Sequence, residues 1–468
     1  MRTLRGTLQQ TPGLEGRMLW AAHADLALQA VVAGTCLSGP APLASDASVL
    51  VRTLEQLSAA KALIELDGRV RRLILCPPDL APEHLPMVLR DGEVTAVATD
   101  RAELPPQLAG LPHHVIGDPR PRPEGGGDAG APTEWAMFTS GTTGPPKMVV
   151  HDLAGLTGAI RPVTAAGAPV VWATFYDTRR YGGLQILLRG LLSDGSMVIS
   201  SADEPVVDLM RRMGRHGVTH LSGTPSHWRK ALANGAPGII SPAYVRLSGE
   251  IADQAILNQL KAAFPEAAIG HAYASTEAGV GFEVTDGLEG FPESVLQPAG
   301  GAIEMKVVDG SLRIRSGRTA RRYLGEAVAA LADADGFVDT GDMVDQRGGR
   351  YYFAGRRGGV INVGGLKVHP EEIEAVINSY PGVRMSLAQG RRNPITGSIV
   401  VAEVVLDETL TAGDGFDEGQ VRQDILRFCH DRLAAFKAPA MLRFVPALTI
   451  TEGGKLLRER AKGLDHRG

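Results

Sequence analysis

Cysteine is scarce in this chain, long apolar runs are missing, and neither sign of charge is in excess. Cys36, Cys76 and Cys429 are the only cysteines. Far apart and odd in number, they form no disulfide framework and no zinc spacing, which fits a reducing cytoplasm. No run reaches the ~20 apolar residues of a membrane span, and Met1 to Gly16 lacks the apolar core of a secretory signal. Against 52 Asp and Glu stand 48 Lys and Arg, a net charge of −4, which argues against a nucleic-acid surface. His151, His216, His220, His227 and His271 show no metal-ligand spacing and read as structural. What is present, 44% apolar and 21% charged residues, is the composition of a soluble globular protein. At 468 residues it needs more than one core, so two or more domains are expected.

Glycine is abundant, with 57 residues, and its most telling use is the run Thr139-Ser140-Gly141-Thr142-Thr143-Gly144-Pro145-Pro146-Lys147. An apolar, strand-like segment, Trp135 to Phe138, leads into it. Glycines let the backbone approach a ligand closely. Backbone N–H groups, hydroxyls and one ammonium together suit a polyphosphate. The spacing differs from the usual nucleotide P-loop, because two prolines separate Gly144 from Lys147.

Along the chain, strand-like and helix-like segments alternate. Val70 to Leu75 and Val94 to Thr99 read as strands around a short helix, Ala81 to Arg90. Pro119 to Pro132 reads as an exposed linker. Val170 to Thr174, Met197 to Ser200 and Val218 to Ser222 read as strands, alternating with helices Gly182 to Leu192 and Pro205 to His216. This order predicts an α/β fold with parallel-rich sheets layered with helices. Leu312 to Arg315 and Tyr351 to Phe353 predict a small antiparallel region. After Gly355-Arg356-Arg357-Gly358-Gly359, the helix Pro370 to Ser379, strand Ile399 to Leu406, helix Gln420 to Ala434 and strand Leu442 to Val445 predict a compact α+β unit. The glycines at its entrance suit a hinge. The expected division is 1–357 and a mobile 358–468.

Further segments follow the loop in a fixed order: Arg246-Leu-Ser-Gly-Glu250, Gly270-His-Ala-Tyr-Ala-Ser-Thr-Glu-Ala-Gly279, Asp339-Thr-Gly-Asp342, Gly355 to Glu374, and Thr451-Glu-Gly-Gly-Lys455. Together with the loop they resemble the ordered core motifs of the adenylate-forming (AMP-binding) superfamily, which includes acyl- and aryl-CoA synthetases, stand-alone adenylation domains and beetle luciferases. The resemblance runs from about Val70 to Lys455. It implies two half-reactions: ATP and a carboxylic acid give an acyl-adenylate and pyrophosphate, and a thiol, usually that of coenzyme A, then takes the acyl group. An acyl carrier protein's phosphopantetheine is the alternative acceptor, and a catalytically impaired nucleotide-binding member is the alternative class. The intact set Lys147, Glu277, Asp342, Arg356 and Lys455 argues against that last reading.

The resemblance also implies roles. Thr139, Ser140, Gly141, Thr142, Thr143, Gly144 and Lys147 would hold the outer phosphates. Thr276 would touch the α-phosphate and Glu277 would ligate Mg²⁺. Tyr273 and Ala274 would lie on adenine, facing Ser248, Gly249 and Glu250. Asp342, with Arg356, would take the ribose hydroxyls. Lys455 would act on the carboxylate and α-phosphate. Gly358 would serve the hinge, and Gly364-Gly365 would face the site when the thiol channel opens. Two departures stand out: Gly358 where relatives often carry Asp or Lys, and Tyr273-Ala274 where Tyr-Gly is usual. Tyr181 would gate an acyl pocket, Gly182 and Leu184 would begin its helix, and Gly279 and Val280 would line the other side, leaving room for a medium or larger acyl group. Arg179 and Arg180 would bind a second substrate carboxylate, coenzyme A phosphates, or nothing beyond surface partners.

Overall fold

The structure is a computed structural model that describes residues 3–122, 132–139, 146–160, 169–193, 195–201, 203–297, 303–325, 330–393, 397–412, 416–451 and 453–458. Two eight-stranded sheets dominate it. In one, Tyr244–Ser248 lies between His220–Gly223 and Ala268–Ser275, all parallel, and Gly279–Val284 closes that edge antiparallel. In the other, Ser48–Val51 sits between Arg72–Leu75 and Ala96–Thr99, also parallel. Those three strands are buried at every position, as parallel strands covered by helices on both faces must be.

One core joins the two sheets. Val49, Leu73 and Met137 from one meet Leu19, Trp172 and Met197 from the other, with helices Gln56–Leu66 and Tyr181–Leu192 between them. Every residue of Gln56–Leu66 is buried, because strands Thr35–Ser38 and His113–Arg120 and helices Leu4–Gln9 and Leu28–Ala33 pack around it. Gly183 permits close packing of the second helix: a Cβ there would fall 2.1 Å from the Asp177 carbonyl oxygen.

A five-stranded antiparallel sheet follows, in which Val338–Arg347 pairs with both Ser311–Ser316 and Arg350–Arg356. The strand expected at Tyr351 to Phe353 is thus longer, and Arg356 is still on the ladder, opposite Asp342. The C-terminal part holds the hairpin Ile361–Val363 and Leu366–Val368, helices Pro370–Asn378 and Glu418–Arg432, and the sheet Val383–Asn393, Gly397–Leu406, Met441–Phe444. Its core is separate, built around Ile373, Ile377, Val404 and Ile425. Of the expected linker, Pro119 and Arg120 instead belong to the strand His113–Arg120, and residues 123–131 lie outside the described residues. Among the described residues no helix is long and apolar enough to cross a membrane.

Candidate functional site

The loop is a hairpin connection, not the strand-to-helix turn of a P-loop. Thr139 ends one strand and Lys147 begins its antiparallel neighbour, directly opposite. Ser140, Gly141, Thr142, Thr143 and Gly144, named as phosphate ligands, lie outside the described residues. Lys147 Nζ stands 5.4 Å from the centre of the Tyr323 ring. Burial, and then the charge of Glu277, raise the Tyr323 pKa, so Glu277 shares this corner.

Thr276 and Glu277 occupy a tight turn between Ala268–Ser275 and Gly279–Val284. Its main chain is pinned from both sides. His151 Nε2 donates to the Thr276 carbonyl at 2.7 Å, and Ala320 N donates to the Glu277 carbonyl at 2.9 Å. Burial pushes His151 down to about 4, so its ring is neutral and its one N–H serves that bond. His151, a structural histidine by its sequence spacing, couples the loop's second strand to Thr276.

Asp342 is gripped by two partners. Tyr273 donates its hydroxyl to Oδ2 at 2.6 Å, and Arg356 Nε donates to Oδ1 at 3.0 Å. Tyr273 is buried in an aromatic row, stacked with Phe282 at 5.6 Å and Phe353 at 5.2 Å. Besides the place against adenine expected of it, Tyr273 thus holds Asp342 in a fixed orientation. Ala274 lies beside it on the strand.

The C-terminal segment meets this corner through Lys455. A Cβ added at Gly249 would lie 3.6 Å from Lys455 Cε. The Lys455 pKa is lowered, by burial first and then by the charge of Arg356, with Glu250, Asp342 and Glu277 opposing. Those four side chains thus share one electrostatic field with the lysine. The Glu250 carboxylate is held by main-chain donors on both sides. That group accepts from Ser226 N at 2.9 Å and from Leu456 N at 3.0 Å, bridging the start of helix Pro225–Ala233 to the tail. Thr224 adds a 2.5 Å bond from Oγ1 to the Gly454 carbonyl. Arg458 grips Glu374 with two bonds, of 2.8 and 2.6 Å, which ties the tail to helix Pro370–Asn378. Gly358 lies in a short exposed 3₁₀ turn, and Gly364 and Gly365 form the hairpin turn with φ of 59° and 87°. A Cβ at either hairpin glycine would meet nothing within 4 Å, so that turn stands clear of the Lys455 corner.

Residues 71–319 match the AMP-binding enzyme family, and residues 372–455 match the AMP-binding enzyme C-terminal domain. The chain belongs to this family. Similar proteins include a 2-succinylbenzoate–CoA ligase of Listeria innocua, 29% identical over 344 residues, 70% of this chain and 70% of that one. A 3-[(3aS,4S,7aS)-7a-methyl-1,5-dioxo-octahydro-1H-inden-4-yl]propanoyl:CoA ligase of Rhodococcus jostii is 29% identical over 341 residues, 69% of this chain and 63% of that one. The chain thus spans less than two thirds of the Rhodococcus protein's length. In fold it is similar to a benzoate CoA ligase from Burkholderia xenovorans, with a TM-score of 0.75 and 16% identity over 97% of this chain and 99% of that one.

Behind the Asp342–Lys455 corner of this AMP-binding enzyme, a cavity of no more than about 350 Å³ lies between helix Tyr181–Leu192 and the strand ends. Gly182, Val280, Ala274 and Ser248 line it, as does Tyr176, which sequence reading had not selected. Tyr181 and Leu184 do not. Tyr181 packs on His151, ring centres 5.5 Å apart, and Leu184 is fully buried in the inter-sheet core on another face of the helix. Gly279 meets the Arg318 backbone, 2.4 Å from a built Cβ. Arg179 and Arg180 are also elsewhere. Arg179, 1% exposed, binds Asp177 and donates at 2.8 Å to both the Thr53 and Leu54 carbonyls. Arg180 pairs with Asp79. Arg179→Met strands a buried Asp177 carboxylate, and thermal unfolding should register a loss of about 3–5 kcal/mol.

Proposed function

We propose that the protein joins a carboxylic acid to AMP and passes the acyl group to the thiol of coenzyme A. A carboxylate oxygen attacks the α-phosphorus of ATP, and pyrophosphate leaves. The thiol sulfur then attacks the acyl carbon, AMP leaves with the bridging oxygen, and the thiol proton is released. The carrying observation is the reach of Lys455 from the C-terminal segment to Gly249, into the field of Glu277, Asp342 and Arg356. A positive group delivered beside an acidic, hydrogen-bonding nucleotide corner suits charge building up on the α-phosphate and the acid.

In this reading Thr139 and Lys147 flank the outer phosphates, Thr276 meets the α-phosphate, and Asp342, oriented by Tyr273 and Arg356, takes the ribose. Ser248, Gly249 and Ala274 contribute main chain beside the base. Glu277 suits a Mg²⁺ ligand, since it brings a carboxylate to the corner shared with Tyr323, Lys455 and Arg356. Among the described residues no group of three or more His, Cys, Asp or Glu could hold a metal. The ion would accordingly share one carboxylate with phosphate oxygens and water, a common Mg²⁺ arrangement, and its role is to neutralise phosphate charge. We also assign the domain boundary at 357/358, with Gly358 as the hinge and Gly364-Gly365 facing the site in the thiol-transfer pose. The three free, buried cysteines suit the cytoplasm.

The purified chain with ATP, Mg²⁺, a carboxylic acid panel and coenzyme A should yield acyl-CoA and AMP by mass spectrometry. AMP release only when a pantetheinylated carrier protein replaces coenzyme A would move the acceptor to that protein. Bound ATP with no pyrophosphate released by any acid would leave a nucleotide-binding protein instead. Tyr273→Phe removes one bond from Asp342, and the KM for ATP should rise roughly fivefold to tenfold, with a smaller change in kcat.

A further inference from the structure

The inner end of the acyl cavity is cationic. Gly182, Ile186 and Arg189 fall on one face of helix Tyr181–Leu192, at positions i, i+4 and i+7, and all three line the cavity. Arg246 lines it from the strand Tyr244–Ser248, where alternation puts it on the same face as Ser248. Arg189 has one recorded bond, Nη2 donating to the Ala159 carbonyl at 3.3 Å, and pairs with no acidic side chain among the described residues. Arg246 has a long contact to Glu283 at 3.4 Å, and Glu283 also accepts from the Tyr244 hydroxyl. Ser222 Oγ and Gln185 Oε1, on residues that line the same cavity, are buried without a partner. Burial, and next the charge of Arg246, push Arg189 down to about 10, as expected of like charges held together out of water.

A buried guanidinium without a counter-ion is costly, and a planar carboxylate is the group its fork matches best. We infer that the acid this enzyme activates carries a second carboxylate, received between Arg189 and Arg246, with Ser222 as a further donor. This rests on the adenylation reading above. Glu283 offsets only part of the charge of Arg189, Arg246 and Arg318, which share this field, so the inner end stays positive and suits a carboxylate. Arg189 lies about 10 Å along the helix axis from Gly182 at the ~1.5 Å rise per residue, so the two carboxylates are separated by a short spacer. Ile186, Tyr176 and Val280 around that spacer are apolar or aromatic, so the spacer is a hydrocarbon or a single ring.

The test uses matched pairs: pentanoate with glutarate, and phenylacetate with 2-carboxyphenylacetate, in acid-dependent ATP–pyrophosphate exchange with the full chain. The parent enzyme should favour the diacid of at least one pair. The diacid-to-monoacid ratio of kcat/KM should fall roughly tenfold to a hundredfold in Arg189→Gln and in Arg246→Gln, and recover in part in Arg189→Lys. Thermal stabilisation by ATP confirms that each variant is folded. A parent enzyme that favours monoacids, or an Arg189→Gln variant that loses both acids of a pair equally, would overturn the second-carboxylate inference and leave adenylation standing. Silence of the parent enzyme with every acid would remove adenylation and this inference together.

Discussion

Lys455→Ala slows acyl-adenylate formation roughly a hundredfold to a thousandfold and leaves thiol transfer from a supplied acyl-adenylate close to the parent rate. The lysine sits where new negative charge would gather, in the field of Arg356, Glu250, Asp342 and Glu277. Separate assays of the two half-reactions check the split; an equal loss in both would make Lys455 a general anchor of the tail. The lowered pKa adds a second readout. Burial and Arg356 both disfavour the protonated form, so as pH rises the free enzyme loses this charge before an ordinary lysine would. The alkaline limb of kcat/KM for adenylation should therefore lie below the usual lysine range, and Arg356→Ala should move it upward.

Gly454→Ala should weaken adenylation nearly as much, without touching any reacting group. Gly454 has φ of 75°, which L side chains rarely adopt, and a Cβ there would fall 1.8 Å from His227 Cε1. His227 cannot easily yield. Its Nδ1 accepts from Thr224 N at 3.2 Å in a capping box at the start of helix Pro225–Ala233. The tail must therefore lift, which also strains the Thr224–Gly454 bond and withdraws Lys455. In a His227→Ala background the clash disappears and only the backbone strain of about 1–2 kcal/mol persists, so adenylation by Gly454→Ala should partly return. No recovery in the double variant would mean that the backbone conformation alone holds the pose.

The fold was legible where one local rule decides it. The parallel strands are short apolar runs punctuated by glycine and proline, and Pro370 with Glu371 and Glu372 marks a helix start that appears as read. The site was legible as a set of motif residues, not as a set of contacts. That Asp342 faces Arg356 depends on the register of two strands, which spacing does not give. For Glu250 the motif resemblance implies a nucleotide role, while the bonds of its carboxylate to Ser226 N and Leu456 N are long-range contacts that a motif does not give. Arg179 and Arg180 drew attention because they are adjacent, whereas Arg189 and Arg246 are far apart in sequence and meet only through the helix-on-sheet packing. Two signals for them were present: the seven-residue spacing from Gly182, and strand alternation from Ser248.

The most direct measurement follows the substrate's own oxygen. The enzyme is supplied with ATP, Mg²⁺, coenzyme A and a carboxylic acid labelled with ¹⁸O in its carboxyl group, and the AMP is weighed by mass spectrometry. Attack of the carboxylate on the α-phosphorus places one labelled oxygen in each AMP, and that is the expected result. Unlabelled AMP, or label in orthophosphate, would contradict activation through an acyl-adenylate.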